Sequence, residues 1–219
     1  MSDDPRYKVG QRGFPSSAEA GGVRYARALP YALHCHAHEN ASAGRVEVTF
    51  RNIGRAGAVF HVYDRSHLDL FPRRYSVEAG KGLTDGWFAT ELGGYDLLVI
   101  GPNGFLRELG GVLGEAEAAP EVELEYHPRR CELELRAWNA GRAGAVIEVT
   151  SDGYRSQRPF SLQLGCDGDV VCRAWSVARS GDWYDFSVCC AARPSWLRRF
   201  AGRMETGRHG VSDPALRQS

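Results

Sequence analysis

From Leu29 onward the chain alternates between apolar and polar positions. Tyr31, Leu33, Cys35 and Ala37 fall on one face of a strand and His34, His36 and His38 on the other, the two-residue period of a half-buried strand. Val46, Val48 and Phe50 repeat the pattern up to Asn52, where an Asn and two Gly supply turn conformations. Val59-Phe60-His61-Val62-Tyr63 has the β-branched and aromatic content of a strand buried on at least one face. Further strands are expected at residues 75–77, 83–89, 95–100 and 105–109, the last two joined by the turn Gly101-Pro102-Asn103-Gly104. Seven short strands with turn signals between them and no helical period predict a β-sandwich.

The whole pattern then occurs again. Asn52-Ile53-Gly54-Arg55-Ala56-Gly57-Ala58 returns 87 residues later as Asn139-Ala140-Gly141-Arg142-Ala143-Gly144-Ala145, differing only in its second place. Trp87 and Trp175 follow, then Tyr95-Asp96-Leu97 and Tyr184-Asp185-Phe186, and the copies end on Phe105-Leu106-Arg107-Glu108-Leu109 and Trp196-Leu197-Arg198-Arg199-Phe200. In the second copy Val122, Leu124 and Tyr126 alternate with Glu121, Glu123 and Glu125, and Leu133, Leu135 and Ala137 with Glu132, Glu134 and Arg136. The sequence therefore predicts an all-β protein of two tandem immunoglobulin-like Greek-key β-sandwiches. The expected divisions are an arm at 1–28, repeats at 29–114 and 115–205, and a tail at 206–219 unlikely to pack. A Tyr at the start of each penultimate strand, Tyr95 and Tyr184, fits a tyrosine corner whose hydroxyl ties back to nearby backbone.

Composition narrows the function. The 219 residues are 43% hydrophobic, and Lys plus Arg equal Asp plus Glu at 27 each, so the charge footprint of a nucleic-acid binder is not indicated. No run of 18 apolar residues occurs, and Met1-Ser2-Asp3-Asp4 lacks the basic and apolar regions of a signal peptide. Six Cys show no metal-finger spacing, and the one local pair with plausible geometry for a bridge is Cys166 with Cys172, across a Gly-Asp turn.

Candidate chemistry is sparse. His34, His36 and His38 stand about 6.7 Å apart per step on one strand face, from which two imidazoles can share a metal. A polar outer strand face needs no metal to exist and is the favoured reading, although His61 and His67 lie near enough in sequence to join such a cluster. A nucleophile-elbow G-x-S-x-G is absent, as are P-loop and dinucleotide glycine patterns, so no catalytic residue and no cofactor is assigned. Leu68-Asp69-Leu70-Phe71-Pro72-Arg73-Arg74 is more suggestive: Leu70 and Phe71 beside Arg73 and Arg74 form the amphipathic arrangement that enters a lipid interface while guanidinium groups meet phosphate. Trp196-Leu197-Arg198-Arg199-Phe200 has a similar make-up. The alternative for both stretches is that their apolar residues face a core.

With both copies in place, the sequence resembles the C-terminal region of the bacterial phospholipases C of the phosphocholine-hydrolysing, acid-phosphatase-related type. The resemblance spans roughly residues 29 to 205. In the first copy it is carried by Ala28-Leu29-Pro30-Tyr31, Asn52 to Asp64, Pro72-Arg73-Arg74-Tyr75, Gly94-Tyr95-Asp96-Leu97 and Gly101-Pro102-Asn103-Gly104-Phe105. In the second it is carried by Gly181-Asp182-Trp183-Tyr184-Asp185, Leu197-Arg198-Arg199-Phe200-Ala201-Gly202-Arg203 and the end Ser212-Asp213-Pro214-Ala215-Leu216.

What the resemblance implies is an accessory role. Family members carry a large N-terminal phosphoesterase domain behind a twin-arginine export signal, and neither is in this sequence, so none of the family's catalytic residues carries over. The implied partners are that phosphoesterase domain and a phospholipid surface, and the implied location is secreted or periplasmic as part of a parent enzyme. Two other readings stay open: a stand-alone sandwich module binding lipid, carbohydrate or protein, and a metal-dependent enzyme at the histidine face.

Overall fold

The computed structural model describes residues 25–154 and 157–213. Strand β1 (Tyr25–Ala26) precedes a first set made of β2 (Leu33–Asn40), β3 (Arg45–Asn52), β4 (Ala58–Asp64), β5 (Arg73–Val77), β6 (Lys81–Phe88), β7 (Gly94–Ile100) and β8 (Leu106–Val112). The second set is β9 (Pro120–His127), β10 (Glu132–Asn139), β11 (Ala145–Gly153), β12 (Phe160–Leu164), β13 (Val171–Ser176), β14 (Trp183–Cys190) and β15 (Arg193–Arg203), and β16 (Gly210–Val211) comes last. Among the described residues, helix is confined to two 3-10 turns, Ala41–Ala43 and Ala178–Ser180. The alternation in the sequence decides which side chains go inward: Val46, Val48 and Phe50 of β3, and Leu133, Leu135 and Ala137 of β10, are all buried.

Each copy folds as two facing sheets around its own apolar core. In the first, β2-β3-β6 covers β5-β4-β7-β8, with Phe50, Phe60, Leu97 and Leu109 between them; in the second, β9-β10-β13 covers β12-β11-β14-β15, with Leu133, Ile147, Phe186 and Phe200 inside. The two larger sheets are one. β8 pairs antiparallel with β15, from Leu197 opposite Gly110 to Ala201 opposite Leu106, and the result is a continuous eight-stranded sheet. Because β8 and β15 are the corresponding strands of the two copies, the copies are related by a pseudo-twofold axis through this ladder. Glu108 and Arg199, which correspond in the repeat, meet each other across it at 2.9 Å.

The repeated Asn-x-Gly motif has a physical reason in both copies. Asn52 is buried, donates to the carbonyls of Ala56 (2.8 Å) and Val77 (3.0 Å), and accepts from the Gly54 amide (3.0 Å). Asn139 does the same with Ala143 (2.7 Å), Gly165 (3.0 Å) and Gly141 (3.0 Å). A Cβ on Gly54 would collide with the Pro30 carbonyl, and one on Gly141 with the Glu117 carbonyl, so both positions require glycine for the incoming strand to pass.

Three details depart from expectation. The hydroxyls of Tyr95 and Tyr184 do not tie back to nearby backbone; they bond side chains, Glu39 and Arg198 for Tyr95, Tyr126 and Arg107 for Tyr184. Cys166 and Cys172 are both free and exposed. Tyr25–Ala26, in the stretch read as an arm, pairs with Gly210–Val211, in the stretch read as a tail, and Trp183 donates its indole N–H to the Val211 carbonyl at 3.0 Å. The rest of the arm, residues 1–24, and of the tail, 214–219, lies outside the described residues.

Candidate functional site

The β4–β5 connection is built to hold apolar side chains away from the core. Asp64, the last residue of β4, accepts from the Ser66 amide (3.0 Å) and meets the His67 ring (2.9 Å), while the Leu70 amide bonds the His67 carbonyl (3.1 Å). Arg65 turns back onto the outer face of the large sheet, bonded to Asp96 at 2.6 Å and Glu108 at 3.0 Å. These local bonds satisfy the loop backbone without burying its side chains. Phe71 is 96% exposed, Leu68 79% and Leu70 62%.

Arg73 follows at the start of β5. Its guanidinium lies 3.9 Å from the centroid of the Trp87 ring and donates to Asp85 (3.1 Å) and the Gly86 carbonyl (3.0 Å). Phe88, one residue beyond Trp87, is 72% exposed. A hollow of about 240 Å³ opens between Leu70, Phe71, Arg73, Trp87 and Phe88, with Asp64 and His67 on its wall. The structure thus gathers three of the sequence-selected residues, Leu70, Phe71 and Arg73, around one depression. Arg74 is exposed on the opposite face of β5, beside His61 in the register, with no bonded partner among the described residues. Phe88 is the residue that sequence reasoning missed. Its signal was available, since alternation from the inward Trp87 puts Phe88 outward.

The other amphipathic stretch is interior. Trp196, Arg198 and Phe200 are buried. Arg198 crosses the pseudo-twofold axis into the first sandwich, where it donates to the Tyr95 hydroxyl (2.8 Å) and the Gly110 carbonyl (2.8 Å) and lies 3.6 Å from Glu39. Its counterpart Arg107 crosses the other way, to the Tyr126 hydroxyl (2.8 Å), the Tyr184 hydroxyl (3.3 Å) and the Ala201 carbonyl (3.0 Å). Each repeat therefore lends its partner a buried arginine. Register equates Glu39 with Tyr126, because Leu33 opposes Asn52 as Pro120 opposes Asn139.

The three histidines also face the second sandwich. The His34 Nδ1 meets the Leu124 carbonyl at 3.1 Å, His36 lies 3.7 Å from Glu123, and His38 bonds Glu121 at 2.9 Å. The imidazoles are thus directed to three separate partners, and among the described residues no group of three metal-ligating side chains converges. Burial, with a smaller contribution from Arg107, lowers the pKa of His34 to about 4 and keeps the ring neutral. The hydrogen bond that His38 donates to Glu121 moves its pKa the other way, upward.

Comparison with known proteins agrees with this division into two repeats. The family described as bacterial phospholipase C, C-terminal domain, matches residues 25–112 and again 120–203. The chain is 42% identical over 202 residues to a non-hemolytic phospholipase C of Pseudomonas aeruginosa, covering 89% of this chain and 29% of that protein. It is also 42% identical over 202 residues to a non-hemolytic phospholipase C of Burkholderia pseudomallei, covering 90% and 28%. A hemolytic phospholipase C of P. aeruginosa is 33% identical over 221 residues, covering 89% and 30%. The chain spans less than a third of the length of these relatives. With both repeats matched along nearly all of the described structure, the chain belongs to the family of bacterial phospholipase C C-terminal domains.

Proposed function

We propose that the chain is the non-catalytic accessory region of a secreted or periplasmic bacterial phospholipase C and that its β4–β5 loop presents the enzyme to phospholipid surfaces. The observation that carries this reading is Phe71, 96% exposed at the tip of a loop that also displays Leu68 and Leu70 next to Arg73 and Arg74. Single exposed apolar residues are ordinary, but three in four positions, beside Phe88 and the Arg73 guanidinium, form a patch with the chemistry of an interfacial anchor. The apolar tips enter the headgroup boundary; Arg73 is held by Asp85 and Gly86, so Arg74, exposed on the other face of β5 without a bonded partner among the described residues, is the guanidinium left to meet lipid phosphate.

The test is co-sedimentation of the chain with phosphatidylcholine and sphingomyelin vesicles, with headgroup release assayed in the same tubes. Binding without release is expected. Burying a phenyl ring is worth about 1.5–3 kcal/mol, so Phe71→Ala should weaken partitioning by at least about tenfold while leaving the melting temperature unchanged. Unaltered binding removes the loop from the reading, and release by the isolated chain overturns its non-catalytic character. A second reading, packing on the phosphoesterase domain of the parent enzyme, draws on Val59, Tyr63 and Ile100, which are exposed together on the outer face of β4 and β7. It predicts no vesicle binding by the intact chain.

A further inference from the structure

The pseudo-twofold axis generates two hollows between the sandwiches, and they are treated differently. On one side the space between Glu39, Val112 and Trp196 is occupied by Arg193. Its guanidinium meets Glu39 at 2.8 Å and the Val112 carbonyl at 2.6 Å, and Arg193 and Trp196 are only 2% and 1% exposed. On the other side Phe105 takes the place of Trp196, Tyr126 that of Glu39, and the turn Pro102-Asn103 that of Arg193. Arg107 lies 4.0 Å over the Phe105 ring as Arg198 lies 4.7 Å over Trp196, so the frames of the two hollows match. What is missing is the filling arm. A cavity of about 120 Å³ stands there, with Tyr31, Leu33, Phe105, Tyr126 and Met204 inside and Ile53, 56% exposed, at its rim.

The carboxylate at the closed end is already engaged, while the Arg203 Nη2 is buried without a hydrogen-bond partner, 3.9 Å from Asp182. Glu205 accepts at Oε1 from the Asn103 side chain (2.5 Å) and Arg203 (3.1 Å) and at Oε2 from the Leu29 amide (3.1 Å), so both of its oxygens are engaged. Tyr126 spends its hydroxyl on Tyr184 and Arg107. The occupant that fits is therefore uncharged, unlike the guanidinium of the filled hollow, since a cation would enter without the carboxylate that Glu39 supplies there. The lining runs from Leu33 and Phe105 through Tyr126 and Met204 to the exposed Ile53, an apolar wall longer than one ring that suits a linear molecule.

We propose that the cleft between the two repeats binds a short, linear, uncharged alkyl chain, as a site separate from the β4–β5 loop. The probes are n-butanol, n-hexanol and n-octanol, titrated into the full chain with methyl groups labelled for NMR, and hexylammonium and hexanoate as charged counterparts. Saturable shifts of the Leu33 and Met204 methyls are expected, tightening about fourfold per added methylene, with the charged probes at least about tenfold weaker. Phe105→Trp, which puts the larger ring of Trp196 into the wall of the open cleft and takes up its space, should abolish these shifts, and Phe71→Ala should leave them untouched. If the larger ring disturbs the fold, Ile53→Trp at the exposed rim carries the same test. Absence of saturable shifts, equal affinity for the charged probes, or shifts that persist in the tryptophan variants would overturn the proposal.

Discussion

His34 shows how a residue chosen for one chemistry serves another. Its ring lies tilted against Tyr126, centroids 4.9 Å apart, and is bonded to Leu124 of the other repeat, in a place where a charged imidazole is disfavoured. A histidine whose folded pKa is depressed contributes stability that is complete above its unfolded value near 6.5 and is lost as pH falls toward about 4. The window spans enough to cost about 3 kcal/mol. Urea unfolding at pH 7 and pH 4.5 should show that loss, and His34→Gln, which keeps a donor for Leu124, should be flatter between the two pH values. Equal slopes in both proteins would assign the acid sensitivity to other groups. The two exchanged arginines differ in the same currency. Arg198→Met removes one of the two guanidinium groups around the buried Glu39, whereas Arg107→Met leaves two tyrosine hydroxyls still bonded to each other at 2.7 Å. Arg193 still meets Glu39 at 2.8 Å, so the loss stays below the roughly 3–5 kcal/mol of a stranded buried charge, but Arg198→Met should be the more damaging of the pair, and equal losses in urea melts would contradict the assignment of Glu39 as the anchor.

At the scale of elements, the turns record what duplication kept and what it relaxed. Gly44 and Cys131 occupy corresponding places between the first two strands of each repeat, with φ of 62° and 51°, and Gly93 and Asp182 correspond likewise at 78° and 70°. A Cβ in the left-handed region costs about 1–2 kcal/mol, offset in part by the greater chain freedom a glycine loses on folding. Cys131→Gly should therefore stabilise the protein by about 0.5 kcal/mol, read as an upward shift of the urea midpoint. A downward shift would mean that the contacts of the thiol, whose pKa burial and Asp182 both raise, outweigh the strain. The strands themselves were legible because one face of each is core and the other is not. Phe88, Tyr95, Tyr184 and Arg198 were harder to place, for one reason: alternation says inward or outward but not against what. Outward on β2 means against Glu121, Glu123 and Leu124 of the other repeat, and inward on β15 means an arginine inside a sandwich to which it does not belong.

At the scale of the whole molecule, the two sandwiches are joined by contacts that should make them unfold as a single cooperative body. They share the β8–β15 ladder, the reciprocal arginines, the Glu108–Arg199 contact on the axis and the histidine–glutamate row between β2 and β9. None of these contacts lies within one repeat, so the sequence repeat of about 85 residues marks an ancestral unit and not an independent one. The covalent join adds little by comparison, since closing a short connection costs only a few multiples of RT. A protease site inserted at Gly114, which is exposed and has open space where a Cβ would stand, tests this. After cleavage the two pieces should still elute together at the mass of the intact chain and separate only in denaturant, and they should exchange more readily when Arg198→Met is present. If they drift apart in native buffer, the continuous sheet is a contact held by the linker, and each repeat must be treated as its own folding unit.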